Sequence, residues 1–141
     1  MIGYLDTSAF VPLLVEEPTS TACRRFWDDA DTLVSTRLLH VETSAALALA
    51  QRIGRLGPGQ LSRCRSVLEE LWEAVEVLEL DVELMRAASR HAGDHALRGD
   101  DALHCAAAWL VNDTDVVAAT GDRQLLRAWS DLGVATYDTT G

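Results

Sequence analysis

The sequence predicts an α/β layer fold: a central, mainly parallel sheet flanked by helices, in a single domain covering residues 1–141. Three observations carry this reading. Short apolar, partly β-branched runs recur along the chain and read as strands. Segments with helical spacing of apolar residues fill the intervals between them. A length of 141 residues with 48% apolar and 24% charged side chains suits one core of ordinary extent.

In chain order, Ile2–Leu5 is a buried strand, and Ala9–Val15 continues it as an apolar helix broken by Glu16-Glu17-Pro18. Thr19–Ala30 is a helix with Ala22, Cys23 and Phe26 inward, and Thr32–Ser35 a second strand. A longer helix runs over Leu38–Ile53 and ends at Gly54, whose missing Cβ suits a helix C-terminus. Leu56-Gly57-Pro58-Gly59 reads as a turn, after which Leu61, Cys64, Leu68, Leu71 and Trp72 recur at helical spacing. Val75–Leu80 alternates like a half-exposed strand, and Asp81 caps a helix reaching Ala92. Asp100 or Asp101 caps the next helix, which reaches Leu110. Val116–Ala119 is a strand, Gln124–Leu132 a helix and Val134–Tyr137 a final strand.

Composition narrows the function. Twelve arginines and no lysine rule out a P-loop, a Schiff-base enzyme and the lysine-assisted pocket of a phospho-receiver domain. A formal net charge of -10 repels nucleic acid from the molecule as a whole, so any such role rests on local arginines and bound metal. The three cysteines follow no C-x-x-C spacing, which argues for reduced, buried thiols and against a disulfide framework or zinc ribbon. No run of about twenty apolar residues and no signal-peptide pattern occurs, so a cytoplasmic location is expected.

Parallel sheets bind ligands at the carboxyl ends of their strands, which draws attention to acids placed there. Asp6 follows the first strand and Asp122 follows the fourth through Thr120-Gly121, although either acid alone also serves as a helix cap. Glu42 shares a helical face with Leu38, Leu39, Ala45, Ala46 and Leu49, so it needs a partner or a solvated cleft; a plain alternative pairs it with Arg37 at the rim. Asp100 and Asp101 open an alanine-rich helix where its dipole favours negative charge, with His104 one turn on as an orienting group or a core histidine. His91 and His95 lack the metalloprotease glutamate and read as surface residues. Converging carboxylates repel one another, and their hard oxygens suit Mg²⁺ or Mn²⁺ rather than zinc.

In I-G-Y-L-D-T-S-A with Asp6, L-L-H-V-E-T-S-A with Glu42, L-R-G-D-D-A-L-H-C-A with Asp101 and A-A-T-G-D-R-Q-L with Asp122, the chain resembles the PIN domains, and among them the VapC-type toxins of bacterial toxin-antitoxin pairs. The resemblance covers essentially the whole chain, and its D-A-L-H segment is the most specific part. It implies a PIN-like three-layer fold and a metal-dependent endoribonuclease, usually dimeric and held inactive by a cognate antitoxin. It further implies Asp6, Glu42, Asp101 and Asp122 as the catalytic quartet, with Asp6, Asp101 and Asp122 on Mg²⁺ or Mn²⁺ and Ser8 and Thr120 as supports. Asp100 departs from the pattern, where a small or aromatic residue is more usual, and stands as a fifth acid beside Asp101.

The expected chemistry is in-line attack of a metal-activated water on an RNA phosphodiester, with Arg98, Arg123 and Arg127 as candidate phosphate contacts. An aspartyl-phosphate phosphatase needs a second aspartate where Ser8 stands, and a lysine the chain lacks. A catalytically silent binding module is the other alternative. An antitoxin helix is expected along Ala9–Val15, and a homodimer through the Leu61–Trp72 helix or Trp109.

Overall fold

All five expected strands form, and every strand pair is parallel. The computed structural model describes residues 1–141. Its elements follow as β1 (Ile2–Leu5), α1 (Thr7–Phe10), a 3-10 turn (Val11–Leu13), α2 (Ser20–Asp29), β2 (Thr32–Thr36), α3 (Leu38–Arg52), α4 (Pro58–Trp72), β3 (Val75–Leu78), α5 (Val82–Asp94), α6 (Gly99–Leu110), β4 (Val116–Thr120), α7 (Arg123–Asp131) and β5 (Ala135–Asp138). The strand order is β3-β2-β1-β4-β5. The chain builds outward from β1 on one side, then returns to its other side with β4. The order therefore switches between β1 and β4, where an open parallel sheet leaves a crevice beyond the strand ends.

Period-two alternation divides the core into two layers of helices around the sheet. Tyr4, Val34 and Ala118 face one side with α5, α6 and α7, in a cluster of 16 buried residues. Leu5, Leu33, Val75 and Ala119 face the other with the first four helices, in a cluster of 15. Gly3 sets how close α2 lies to β1, because a Cβ there would sit 2.9 Å from the Phe26 ring and 3.2 Å from the Ala30 Cβ. The three cysteines are buried and free. No helix is long and apolar enough to cross a membrane.

Several local expectations change. Ala9–Val15 is a one-turn helix followed by a 3-10 turn, because Pro12 has no amide hydrogen with which to continue an α-helix. Ala9, Phe10, Pro12 and Val15 are buried there while Val11, Leu13 and Leu14 are partly exposed, so most but not all of the segment is core. The expected turn at Leu56–Gly59 gives way to a helix at Pro58, whose fixed φ suits the first helical position. Neither Asp100 nor Asp101 caps α6: the N-cap is Arg98, with no side-chain bond, and both acids lie inside the first turn. His91 is buried against Trp109, with ring centroids 5.1 Å apart, rather than on the surface.

Candidate active site

β1 and β4 end side by side, and two hydroxyl residues stitch their ends together. Asp6 Oδ2 accepts from Ser8 Oγ at 2.7 Å and from Thr120 Oγ1 at 2.6 Å. Each hydroxyl in turn accepts an amide beyond β4, Gly121 N on Ser8 Oγ at 2.8 Å and Asp122 N on Thr120 Oγ1 at 3.0 Å. Asp6 is buried by this mesh. Asp122 Oδ1 caps α7 by accepting from Leu125 N at 2.9 Å, so the capping and cleft-lining readings of Asp122 hold together. Asp6 caps α1 only weakly, through Ser8 N at 3.4 Å.

Glu42 reaches the same place from α3. The core side of that helix is Leu39, Thr43, Leu47 and Ala50, whereas Glu42, Ala45, Ala46 and Leu49 form one wall of an open cleft. The apolar face read from the sequence is therefore partly a cleft wall. Glu42 pairs with neither Arg37, which is bound to Glu79, nor water alone. Its Oε1 accepts from Thr7 Oγ1 at 2.6 Å and contacts His104 Nε2 at 2.6 Å.

The cleft, about 640 Å³, is lined by Asp6, Glu42, Asp100, Asp101 and Asp122 together with Thr7, Ser8, Arg52 and Arg98. All four predicted carboxylates thus meet in one cleft, and Asp100 joins them. Of the three predicted arginines only Arg98 is present, 3.7 Å from Asp100. Arg123 is exposed beyond the cleft, and Arg127 lines a separate depression with Asp94 and Asp131. Arg52, at the end of α3, also lines the cleft, and the sequence marks it only as the last polar residue before a helix stop.

The electrostatics follow from this crowding. Burial, then Asp100, Asp122 and Asp6 in decreasing order, raise the Asp101 carboxyl from 3.8 to about 6. Burial lowers the pKa of His104, but the hydrogen bond to Glu42 and the charge of Asp6 outweigh it and leave a net rise. No three of the Asp, Glu, His and Cys side chains close into a ready-made metal cage. The donor set nevertheless fits a hard divalent cation, since it is all oxygen and its mutual repulsion is unrelieved at Asp101.

A profile of the PIN domain matches residues 3–129. The chain belongs to the PIN-domain family. It is 40% identical over 122 residues to Ribonuclease VapC45 of Mycobacterium tuberculosis (strain CDC 1551 / Oshkosh), covering 86% of this chain and 85% of that protein. Among solved structures, FitAcB from Neisseria gonorrhoeae superposes with a TM-score of 0.74 at 18% identity over 99% of both chains. VapBC2 from Rickettsia felis, bound to a DNA fragment from its promoter, gives 0.68 at 12% identity over 98% of both. At those identities the two structures speak for the fold of this PIN domain, which is the three-layer α/β arrangement expected.

Proposed function

We propose that this PIN domain is a divalent-metal-dependent endoribonuclease, the toxin of a toxin-antitoxin pair, acting at the Asp6–Glu42–Asp101–Asp122 cleft. One observation carries the reading: carboxylates from four separate elements meet beyond the β1–β4 switch point, where their repulsion favours a cation. The ribonuclease names of relatives such as VapC45 support RNA as the substrate.

Asp6, Asp101 and Asp122 would hold Mg²⁺ or Mn²⁺, with Glu42 beside them. When bound, such an ion acidifies water and offsets charge developing on a phosphodiester. The protein's own groups prepare that chemistry. Ser8 and Thr120 fix the Asp6 carboxylate by charge-assisted hydrogen bonds. Glu42 has one oxygen occupied by Thr7 and His104, which leaves the other to orient water or accept its proton. Arg52 and Arg98 place positive charge at the cleft wall, where a strand of RNA phosphates needs it on a molecule of net charge -10.

The antitoxin is proposed to lie along the cleft wall of Ala45, Ala46 and Leu49 and the exposed Ile53, rather than along the mostly buried Ala9–Val15 segment. The solved VapBC2 complex supports such a partner. For a homodimer, α4 turns Leu61, Cys64 and Leu68 into its own core. The exposed Val82 and Met85 on α5, with Trp109 and Leu110 on α6, are the better face. Incubation of the purified chain with a mixed RNA pool tests the activity. Cleavage with Mg²⁺ or Mn²⁺ that stops on chelation is expected; intact RNA in every condition would leave a silent binding module.

A further inference from the structure

We propose that His104 is a positioning residue that holds the Glu42 carboxylate at the cleft through a Tyr4–His104–Glu42 hydrogen-bond chain. The inference rests on the nuclease reading of the cleft and adds to it a buried device outside the acidic quartet.

The geometry is specific. His104 Nε2 lies 2.6 Å from Glu42 Oε1, and His104 Nδ1 lies 2.8 Å from the Tyr4 hydroxyl. A carboxylate oxygen only accepts, so Nε2 carries the hydrogen in this contact. In the neutral ring Nδ1 is then the acceptor, and the Tyr4 hydroxyl donates to it. The imidazole side chain is only 1% exposed, so both ring nitrogens are satisfied inside the protein. Tyr4 is fully buried on β1, and its ring meets Trp129 edge-on with centroids 5.9 Å apart. Trp129 is itself tied down by its indole N–H, which donates to the Cys105 carbonyl at 3.2 Å. The chain is thus rooted in the core and ends at the cleft.

A glutamate facing solvent from a helix has several rotamers within reach, and fixing one needs directed contacts. Thr7 and His104 both bond Oε1 and no protein group bonds Oε2, so the fixed carboxylate keeps one oxygen for the cleft. His104 also stands one helical turn after Asp101 on α6, with Nε2 3.7 Å from Asp6 Oδ1. One short helix therefore sets Asp101 directly and Glu42 through the imidazole. A histidine kept only to fill the core would need no such chain, since apolar side chains of the same volume fill a core without buried polar groups to satisfy.

Two isosteric variants separate positioning from packing. His104→Gln keeps a donor near the Nε2 position, whereas His104→Asn keeps only a group near Nδ1 and loses Glu42. In steady-state cleavage of a defined single-stranded RNA in Mn²⁺, kcat is expected to fall about tenfold to a hundredfold in His104→Asn with KM unchanged, and to recover largely in His104→Gln. In a Glu42→Gln background, His104→Asn is expected to add no further loss, because the two act as one unit. Should His104→Asn fail to fold, Tyr4→Phe removes one hydroxyl only and is expected to lower kcat in the same direction. Asp101→Asn serves as the control for the nuclease reading: if it cleaves like wild type, that reading fails. If Asp101→Asn is dead while His104→Asn or a folded Tyr4→Phe cleaves at the wild-type rate, or the double-variant losses multiply, the positioning role alone is overturned.

Discussion

At Asp101 the carboxyl titrates near 6 because burial and neighbouring acids disfavour its charge, and this has a consequence for stability. Below its ordinary value of 3.8 the group is protonated whether the chain is folded or not, and contributes nothing. Between 3.8 and about 6 the folded chain keeps a proton that the unfolded chain has lost, so stability falls as pH rises and the loss is complete above about 6. The residue is partly exposed, and solvent screening holds the effect to about 1 kcal/mol. Urea denaturation of the metal-free protein between about pH 4 and about pH 7 should show Asp101→Asn lacking that part of the decline. Arg52 is the other informative residue. Arg52→Ala is expected to raise KM for RNA about threefold to tenfold with kcat nearly unchanged, and to reduce the salt dependence of binding by about one counterion. The acids were legible because carboxylates after strands and on an otherwise apolar helix face are chemically conspicuous. Arg52 was not, since an arginine at a helix end looks like any solvated residue. His91 was misread because its burial depends on Trp109, which lies 18 positions away.

Among the elements, strands and long helices were readable to within a few residues, and the errors share a cause. Expecting Asp100 or Asp101 as a cap followed residue preference, yet α6 starts two or three residues earlier, with Gly99 as its first helical position and Arg98 as N-cap. This places both acids on the first turn, where the helix dipole favours them and where they face the cleft. The wall formed by Ala45, Ala46 and Leu49 shows the same limit: periodicity finds an apolar stripe but not whether a neighbour covers it. The β1–α2 contact gives a direct test of packing. Gly3→Ala should destabilise the fold by about 1–3 kcal/mol in urea unfolding, because the buried Phe26 ring and the Ala30 methyl must shift to admit the added methyl. Wild-type stability in that variant would mean that α2 rides farther from the sheet.

Across the whole molecule, the sequence showed a layered parallel sheet but not the order of its strands, because crossover direction leaves no mark on composition. That order decides the site: β1 beside β4 brings Asp6 and Asp122 together, and α3 and α6 then supply Glu42 and Asp101. On the proposed nuclease reading, a net charge of -10 means that a cation bound in the cleft would do more than any side chain to admit a polyanion. Thermal melts across a Mg²⁺ or Mn²⁺ titration, paired with RNA cleavage on the same samples of wild type and Asp101→Asn, test this account most directly. The wild type should melt at rising temperature as free metal exceeds its dissociation constant, and should cleave RNA only with metal. Asp101→Asn should lose cleavage and most of the metal-induced shift while staying at least as stable without metal. A fully active Asp101→Asn protein with an unchanged metal shift would contradict the assignment of this cleft.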